Sequence, residues 1–181
     1  VREAGEKSHN VERSLRIARF KSGKYSIERP LHLGAAIAER DTSLRQPLMW
    51  RLSEYGLPLG EAFQLRDDLL GIFGDPAVTG KPAGDDLREG KRTVLMAMAM
   101  ERTSDAGRAE LTANLGKADL SLEVIEKLRG IIVESGAVES VEGLIEKLTF
   151  DALTAAKSQE IASDSHELLA ALAASATARK S

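Results

Sequence analysis

An apolar stretch from residue 63 to residue 73 carries two adjacent carboxylates, Asp67 and Asp68. Its apolar residues do not alternate with polar ones as they would in a half-buried strand, so the stretch predicts a helix. On such a helix Asp67 shares one face with Gly60 and Gln64, and we expect this face to point inward. An ionised carboxylate there is costly unless a cation or hydrogen-bond donors compensate its charge. The stretch therefore predicts a helix whose acids are compensated by a cation or by hydrogen-bond donors.

The remainder of the chain has the same helical periodicity. Alanine, leucine and glutamate are abundant while aromatic residues make up only 4 %, which favours helices over sheets. Helices are predicted at residues 11–20, from Pro30 onward, at 45–55, around Asp67 and Asp68, and at 93–101, 122–134, 141–157 and 164–178. No segment alternates as a strand does, so the sequence predicts an all-α chain. Its 181 residues are enough for one domain with a sizeable core.

Two segments are predicted to interrupt the helical pattern. The first is residues 21–26, followed by Arg29, whose position before Pro30 disfavours helical backbone angles. The second contains Gly56 and Pro58, which are expected to separate the helix at 45–55 from the helix with the paired aspartates.

Composition excludes several classes of function. Lysine and arginine total 25 against 28 aspartates and glutamates, a net charge of −3, so no basic field attracts nucleic acid. The chain has no cysteine, which excludes disulfide scaffolds and thiolate metal sites. No apolar segment approaches the roughly 18–20 residues that span a bilayer, and the polar N-terminus does not resemble a signal peptide. We therefore expect a cytoplasmic protein with no nucleic-acid partner and no membrane span.

The paired aspartates favour a particular kind of metal. Carboxylates are hard oxygen ligands, and the three histidines are scattered along the chain. Mg²⁺ or Mn²⁺ is therefore predicted at Asp67 and Asp68, and zinc is not. Magnesium usually takes one or two carboxylates, with water and phosphate oxygens completing its octahedron. The alternative is that the two aspartates are simply solvated.

A glycine-rich loop with lysines follows the acidic stretch. Lys81 lies between Gly80 and Gly84, and Lys91 comes shortly after them. Lysine ammonium groups bind phosphate oxygens, and the glycines would allow the loop to close over an anion. Together with the acids, the loop suggests a divalent metal that holds a phosphorylated ligand, although an ordinary helix connection would look similar.

Two further residues are candidates with simpler alternatives. Lys21 lies at a predicted helix break beside Ser22 and could reach an anion, or it could be a solvated surface lysine. Gln64 precedes Asp68 by four residues, a spacing at which its amide can support the carboxylate through a hydrogen bond along the helix.

At this point the motifs resemble a known family. The pattern Phe-Gln-x-x-Asp-Asp at residues 63–68 is followed at 80–93 by Gly-Lys-Pro-x-Gly-x-Asp-Leu-Arg-Glu-Gly-Lys-Arg-Thr. Both resemble the second aspartate-rich region of the trans-isoprenyl diphosphate synthases, the polyprenyl synthetases that make geranyl, farnesyl, geranylgeranyl and longer diphosphates. Residues 21–35 resemble the Lys-Thr motif of that family and the helix after it. Residues 1–181 are thereby identified as the C-terminal part of a single polyprenyl synthetase domain.

The resemblance implies a fold and a reaction. The fold would be the all-α helical bundle of isoprenoid synthases, here without its N-terminal helices, and the chain would form a homodimer. The reaction would be the Mg²⁺-dependent condensation of isopentenyl diphosphate with an allylic diphosphate. Asp67 would bind a Mg²⁺ that bridges the allylic diphosphate, and Asp68 would assist.

The resemblance also implies roles for the other candidates. Lys21, Lys81 and Lys91 would contact the leaving diphosphate. Ser22 and Gln64 would lie beside the carbocation that develops when the diphosphate departs. The released diphosphate would accept the final proton.

The chain departs from the family pattern in three ways. Gly71 stands where the second motif often has a third aspartate, and Ser22 replaces the usual threonine while keeping its hydroxyl. The first aspartate-rich motif does not occur in the sequence. The last departure leaves a second interpretation open, namely a non-catalytic partner subunit or truncated homologue of a prenyl synthase.

Overall fold

The computed structural model describes residues 10–80 and 82–178, with the side chains at positions 78 and 79 excepted. This part of the chain is helical and contains no strand, which confirms the all-α prediction. The helices are α1 (Val11–Ala18), a π-helix (Arg19–Glu28), α2 (Arg29–Ala38), α3 (Thr42–Phe73), α4 (Pro76–Thr79), α5 (Asp85–Glu89), α6 (Val94–Arg102), α7 (Asp105–Asn114), α8 (Leu122–Glu134), α9 (Ala137–Ala156) and α10 (Ser163–Thr177).

Helix α3 is the centre of the bundle. It packs along α9 and the π-helix, and it also contacts α2, α5, α6 and α10. Arg66 fastens it to the C-terminal helices, because its two terminal nitrogens each donate to a carboxylate oxygen of Glu142 at 2.6 Å. The Arg66 Nε also donates to the Thr177 carbonyl oxygen at 2.9 Å. The helix that carries the paired aspartates is therefore held from several sides.

The predicted break at Gly56 and Pro58 is wrong, since α3 runs through both residues. Gly56 is not a helix end but a close contact: a Cβ on Gly56 would lie 3.1 Å from the Cα of Glu28 in the π-helix. Pro58 lacks a donor for the helix ladder, but packing on both sides of α3 holds the chain helical there. Tertiary contacts thus override the local helix-breaking signal.

The predicted interruption at residues 21–26 is also wrong in form. The chain stays helical there but widens into the π-helix, in which the Arg29 N–H donates to the Lys24 carbonyl oxygen five residues earlier. Arg29 itself has helical angles, with φ −65° and ψ −42°.

The π-helix and α3 cross with their backbones in contact. A Cβ on Gly60 would lie 2.5 Å from the Cα of Gly23 and 2.8 Å from the carbonyl oxygen of Ser22. Only glycine leaves room for this approach, because any side chain would separate the two backbones. Gly60 precedes Gln64 by one helical turn on α3, so the crossing brings Ser22 within hydrogen-bond distance of Gln64 and builds the site described next.

Helix α6 confirms the helix predicted at 93–101 and lies in the main core, where Leu95 and Met96 are fully buried. Thr93 caps its N-terminus by accepting a hydrogen bond from the Met96 N–H at 3.2 Å. Among the described residues, no helix combines the length and the apolar character that a membrane crossing requires.

Candidate metal and diphosphate site

Three of the predicted site residues form a hydrogen-bonded chain. The Ser22 hydroxyl donates to Gln64 Oε1 at 2.5 Å, and Gln64 Nε2 donates to Asp68 Oδ1 at 2.8 Å. The bond from Gln64 to Asp68 is the one that their four-residue spacing predicts. Because each side chain holds the next, the chain ties the π-helix to the acidic turn of α3 and orients the Asp68 carboxylate.

The two aspartates are not buried to the same degree. Asp68 is only 5 % exposed, whereas Asp67 is half-buried. The sequence predicts Asp67 on an inward face, and the structure leaves that face only partly covered at Asp67. The innermost face instead follows Leu65, Leu69 and Ile72, which pack in the main core, and Asp68 lies on that side. Asp67 is left at the rim, where it forms no hydrogen bond or ion pair with any described residue.

The environment of Asp68 disfavours its charged form. Burial raises the pKa of its carboxyl group from 3.8 to about 7. The hydrogen bond from Gln64 acts in the opposite direction, the charges of Asp86 and Asp67 add to the rise, and the charge of Lys21 reduces it. Asp68 is thus a buried acid that a bound cation would stabilise in its ionised form.

This shift predicts how stability depends on pH without metal. Between pH 4 and pH 7 the folded chain binds a proton at Asp68 that the unfolded chain has released, so the free energy of unfolding falls as pH rises through this window. Asp68→Asn keeps an acceptor for Gln64 but removes the charge. Denaturant unfolding is measured at pH 4.5 and at pH 8. Between these two pH values, the free energy of unfolding should fall by about 2–4 kcal/mol less in the variant than in the unchanged chain. An equal fall in the free energy of unfolding in both proteins would contradict the raised pKa of Asp68.

The three predicted lysines have different positions. Lys21 is exposed, makes no ion pair with a described residue, and borders an open cleft of about 680 Å³. Basic and apolar groups both line this cleft: Arg13, Arg16, Ile17, Phe20, Lys21 and Tyr25. Lys91 is instead engaged, since its Nζ donates to Asp86 Oδ1 and lies 2.9 Å from Glu89 Oε2. Lys81 lies outside the described residues.

The ion pairs of Lys91 keep it charged. Burial is the largest single influence and acts to lower the pKa of Lys91, but the hydrogen bonds and charges of Asp86 and Glu89 together raise it above its ordinary value. An ammonium that two carboxylates already hold is less available to a diphosphate than Lys21. The structure therefore separates two lysines to which the sequence assigned the same role.

Sequence reasoning missed a second acidic group on α5. One carboxylate oxygen from each of Asp85, Asp86 and Glu89 lies within 4.8 Å of the others. The one-residue and three-residue spacings along a short helix were the available signal. Lys91 already lies against two of these carboxylates, so an ammonium balances their charge, and we do not assign a separate metal site here.

The space beside Gly71, where the family often has a third aspartate, is occupied by a side chain from another helix. A Cβ on Gly71 would lie 2.2 Å from Asp86 Oδ2 and 2.3 Å from Asp86 Cγ. The Asp86 carboxylate, 3 % exposed, therefore occupies the space that a side chain at position 71 would need.

The residues present suit a magnesium ion. Asp67 offers a hard oxygen ligand at the rim, and Asp68 is a buried acid whose pKa stays raised to about 7 despite the hydrogen bond from Gln64 and the charge of Lys21. A magnesium ion would be held by Asp67 with Asp68 assisting, and it would leave positions for water and phosphate oxygens.

The all-α bundle and the hydrogen-bonded residues Ser22, Gln64 and Asp68 indicate the class of protein, and the comparison with known families identifies it. Residues 2–132 match the polyprenyl synthetase family, and the chain belongs to it. Among curated relatives, it is similar to the geranylfarnesyl diphosphate synthase of Aeropyrum pernix, with 38 % identity over 128 residues, which are 71 % of this chain and 37 % of that protein.

Solved structures agree with the family. The geranylgeranyl pyrophosphate synthase of Corynebacterium glutamicum, complexed with isoprenyl diphosphate and magnesium, has a TM-score of 0.88 and 44 % identity over 96 % of this chain and 48 % of that chain. The polyprenyl synthase of Caulobacter crescentus, complexed with calcium and isoprenyl diphosphate, has a TM-score of 0.80 and 30 % identity. The match covers 97 % of this chain and 53 % of that chain. This chain thus spans about half the length, or less, of these relatives.

Proposed function

We propose that this chain provides the diphosphate-binding part of a magnesium-dependent prenyltransferase. The reaction condenses isopentenyl diphosphate with an allylic diphosphate to give a longer polyprenyl diphosphate. The observation that supports this function best is the hydrogen-bonded chain from Ser22 through Gln64 to Asp68, which joins the acidic turn of α3 to the π-helix beside the exposed Lys21. The carboxylate of Asp68, the hydroxyl of Ser22 and the ammonium of Lys21 thereby lie in one region of the fold.

Each group has a role that its chemistry supports. Asp67 would hold the Mg²⁺, with Asp68 assisting, and a bound Mg²⁺ supplies Lewis-acid stabilisation of the departing diphosphate. Lys21 binds phosphate oxygens at the mouth of the cleft. Ser22 Oγ and the Gln64 amide place fixed dipoles beside the allylic carbon as positive charge develops there. Their orientations are set before the substrate arrives, so they need not reorganise during the reaction.

The final proton is accepted by the released diphosphate. Neither described histidine belongs to the site, since His32 Nε2 lies 2.9 Å from both the Met49 carbonyl oxygen and Ser53 Oγ. His166 Nε2 lies 3.1 Å from the Ile161 carbonyl oxygen. The diphosphate leaves as a base next to the carbon that loses the proton, so its own oxygens are the nearest acceptors.

Four further expectations stay predictions. We infer magnesium as the working ion because the ligands are carboxylates. A homodimer follows from analogy with the family, and a cytoplasmic location is expected from the sequence. No nucleic-acid partner is expected, because the net charge of −3 provides no basic field for one.

A chimaera tests the proposed function. The half of the Corynebacterium glutamicum synthase that this chain matches is replaced by the 181-residue chain, and incorporation of labelled isopentenyl diphosphate is measured with an allylic diphosphate. We expect product that requires Mg²⁺, and none from the 181-residue chain alone. A folded chimaera that binds magnesium and diphosphate without forming product would instead favour the non-catalytic subunit, and product from the isolated chain would show that its own residues suffice.

A further inference from the structure

We propose that Asp86 is a positioning residue of the metal site and that its carboxylate takes the place of an acidic side chain at position 71. This inference rests on the proposed function, because it concerns the same magnesium and diphosphate. It assigns a role to a residue of α5 that lies outside the aspartate pair of α3. It also gives Gly71 a function, namely to leave the space that this carboxylate occupies.

The geometry of α3 supports the first step. Gly71 follows Asp67 by four residues, so it lies on the same helix face one turn further on. All three terminal atoms of Asp86 lie within 2.7 Å of the point where a Cβ at Gly71 would be. The carboxylate of Asp86 therefore rests on the backbone of α3, one turn from Asp67, although it belongs to a different helix.

The partners of Asp86 support the second step. Lys91 Nζ donates to Asp86 Oδ1, and this bond holds the carboxylate in place. Its negative charge is also felt at Asp68, whose pKa it raises. Asp86 is thus part of the same electrostatic environment as the aspartate pair. Lys91 acts on the metal site through Asp86, and the direct contact with the diphosphate falls to other cations.

This arrangement makes the site depend on the position of α5. An acid at position 71 would be carried by α3 itself, whereas Asp86 reaches the site only when α5 is packed on α3. We therefore expect Asp86 to strengthen magnesium-dependent binding of diphosphate without contacting the prenyl chain. A purely structural role would predict a loss of stability and no specific effect on the metal.

The packing of Asp86 on Gly71 is tested first by a cycle of thermal unfolding on the full 181-residue chain. Gly71→Ala should lower Tm by about 3–10 °C, because its methyl group meets the Asp86 carboxylate. In the background of Asp86→Ala the same substitution should cost less than half as much. An equal fall in Tm in both backgrounds would show that Asp86 does not pack on Gly71.

The functional role is tested by moving the carboxylate. Calorimetry measures the binding of inorganic diphosphate with and without Mg²⁺. Asp86→Ala should weaken magnesium-dependent binding by about tenfold or more. The double variant Gly71→Asp/Asp86→Ala, which returns a carboxylate to α3, should recover affinity to within about threefold of the unchanged chain. Asp86→Asn keeps the shape of the side chain and should bind as weakly as the alanine variant.

The controls separate this inference from the proposed function. Asp85→Ala removes the same charge one residue away and should leave affinity within about threefold. If the unchanged chain shows no magnesium-dependent binding, the proposed function fails together with the inference. If the unchanged chain binds but Asp86→Ala and Asp86→Asn bind equally well, only the inference is overturned. Recovery of affinity by the double variant supports it, since a merely structural aspartate would not be replaced from α3.

Discussion

Replacing Asp67 by asparagine is expected to abolish the magnesium dependence of diphosphate binding and to lower prenyl transfer in the chimaera by about a thousandfold. Asp67 is half-buried at the rim of the acidic turn and forms no hydrogen bond or ion pair within the described part of the chain. Its carboxylate is therefore open to a metal, whereas that of Asp68 is buried and bound by Gln64. Asparagine keeps the shape of the side chain and removes only its charge.

The effect of Asp67→Asn is measured by calorimetry on the chain and by turnover in the chimaera. Because Asp67 supports no packing contact in the core, Tm should stay within about 2 °C of the unchanged chain. Asp151→Asn is the matched control, since Asp151 is an exposed aspartate of α9. Turnover close to normal in the Asp67 variant would show that this carboxylate does not hold the metal.

Gly60→Ala should have the largest effect on stability. Its methyl carbon would lie 2.5 Å from the Cα of Gly23 and 2.8 Å from the Ser22 carbonyl oxygen, so two helix backbones would have to move apart. Rearranging backbone is costly, and we expect the free energy of unfolding to fall by about 3 kcal/mol. The same movement would lengthen the contact between Ser22 and Gln64, so diphosphate affinity should fall as well.

Gly143→Ala is the control for this substitution. Gly143 is an exposed residue within α9, and a Cβ there would meet nothing within 4 Å. Alanine at such a position should raise the free energy of unfolding by about 0.5–1 kcal/mol through its better helix propensity. Denaturant unfolding of both variants checks the pair. A Gly60→Ala protein as stable as the unchanged chain would contradict the backbone crossing.

The residues around the aspartate pair show how much of the site the sequence could predict. The spacing of Gln64 and Asp68 predicted their hydrogen bond, because neighbours four apart on a helix face the same side. The same spacing could not tell which aspartate is buried. Burial depends on where α6, α8 and α9 pack against α3, and helical periodicity within one segment does not contain that information.

Gly56 shows why some local signals failed. Glycine and proline together usually end a helix, and the sequence offered no reason to read Gly56 and Pro58 otherwise. In the structure, Gly56 and Gly60 lie on one face of α3 and receive the π-helix at close range. The close packing of a segment distant in sequence requires glycine at these positions. A residue that looks like a helix break is therefore the place where two helices touch.

The sequence by itself determined the all-α class, the polyprenyl synthetase family and the identity of the acids, because these follow from residue order and short-range spacing. Only the tertiary structure decided that Asp68 is the buried acid, that Lys91 is held by Asp86, and that Asp86 fills the space over Gly71. The physical reason is steric. Whether a gap at a glycine is filled, and by which side chain, depends on how closely separate helices approach, and that distance exists only in the folded chain.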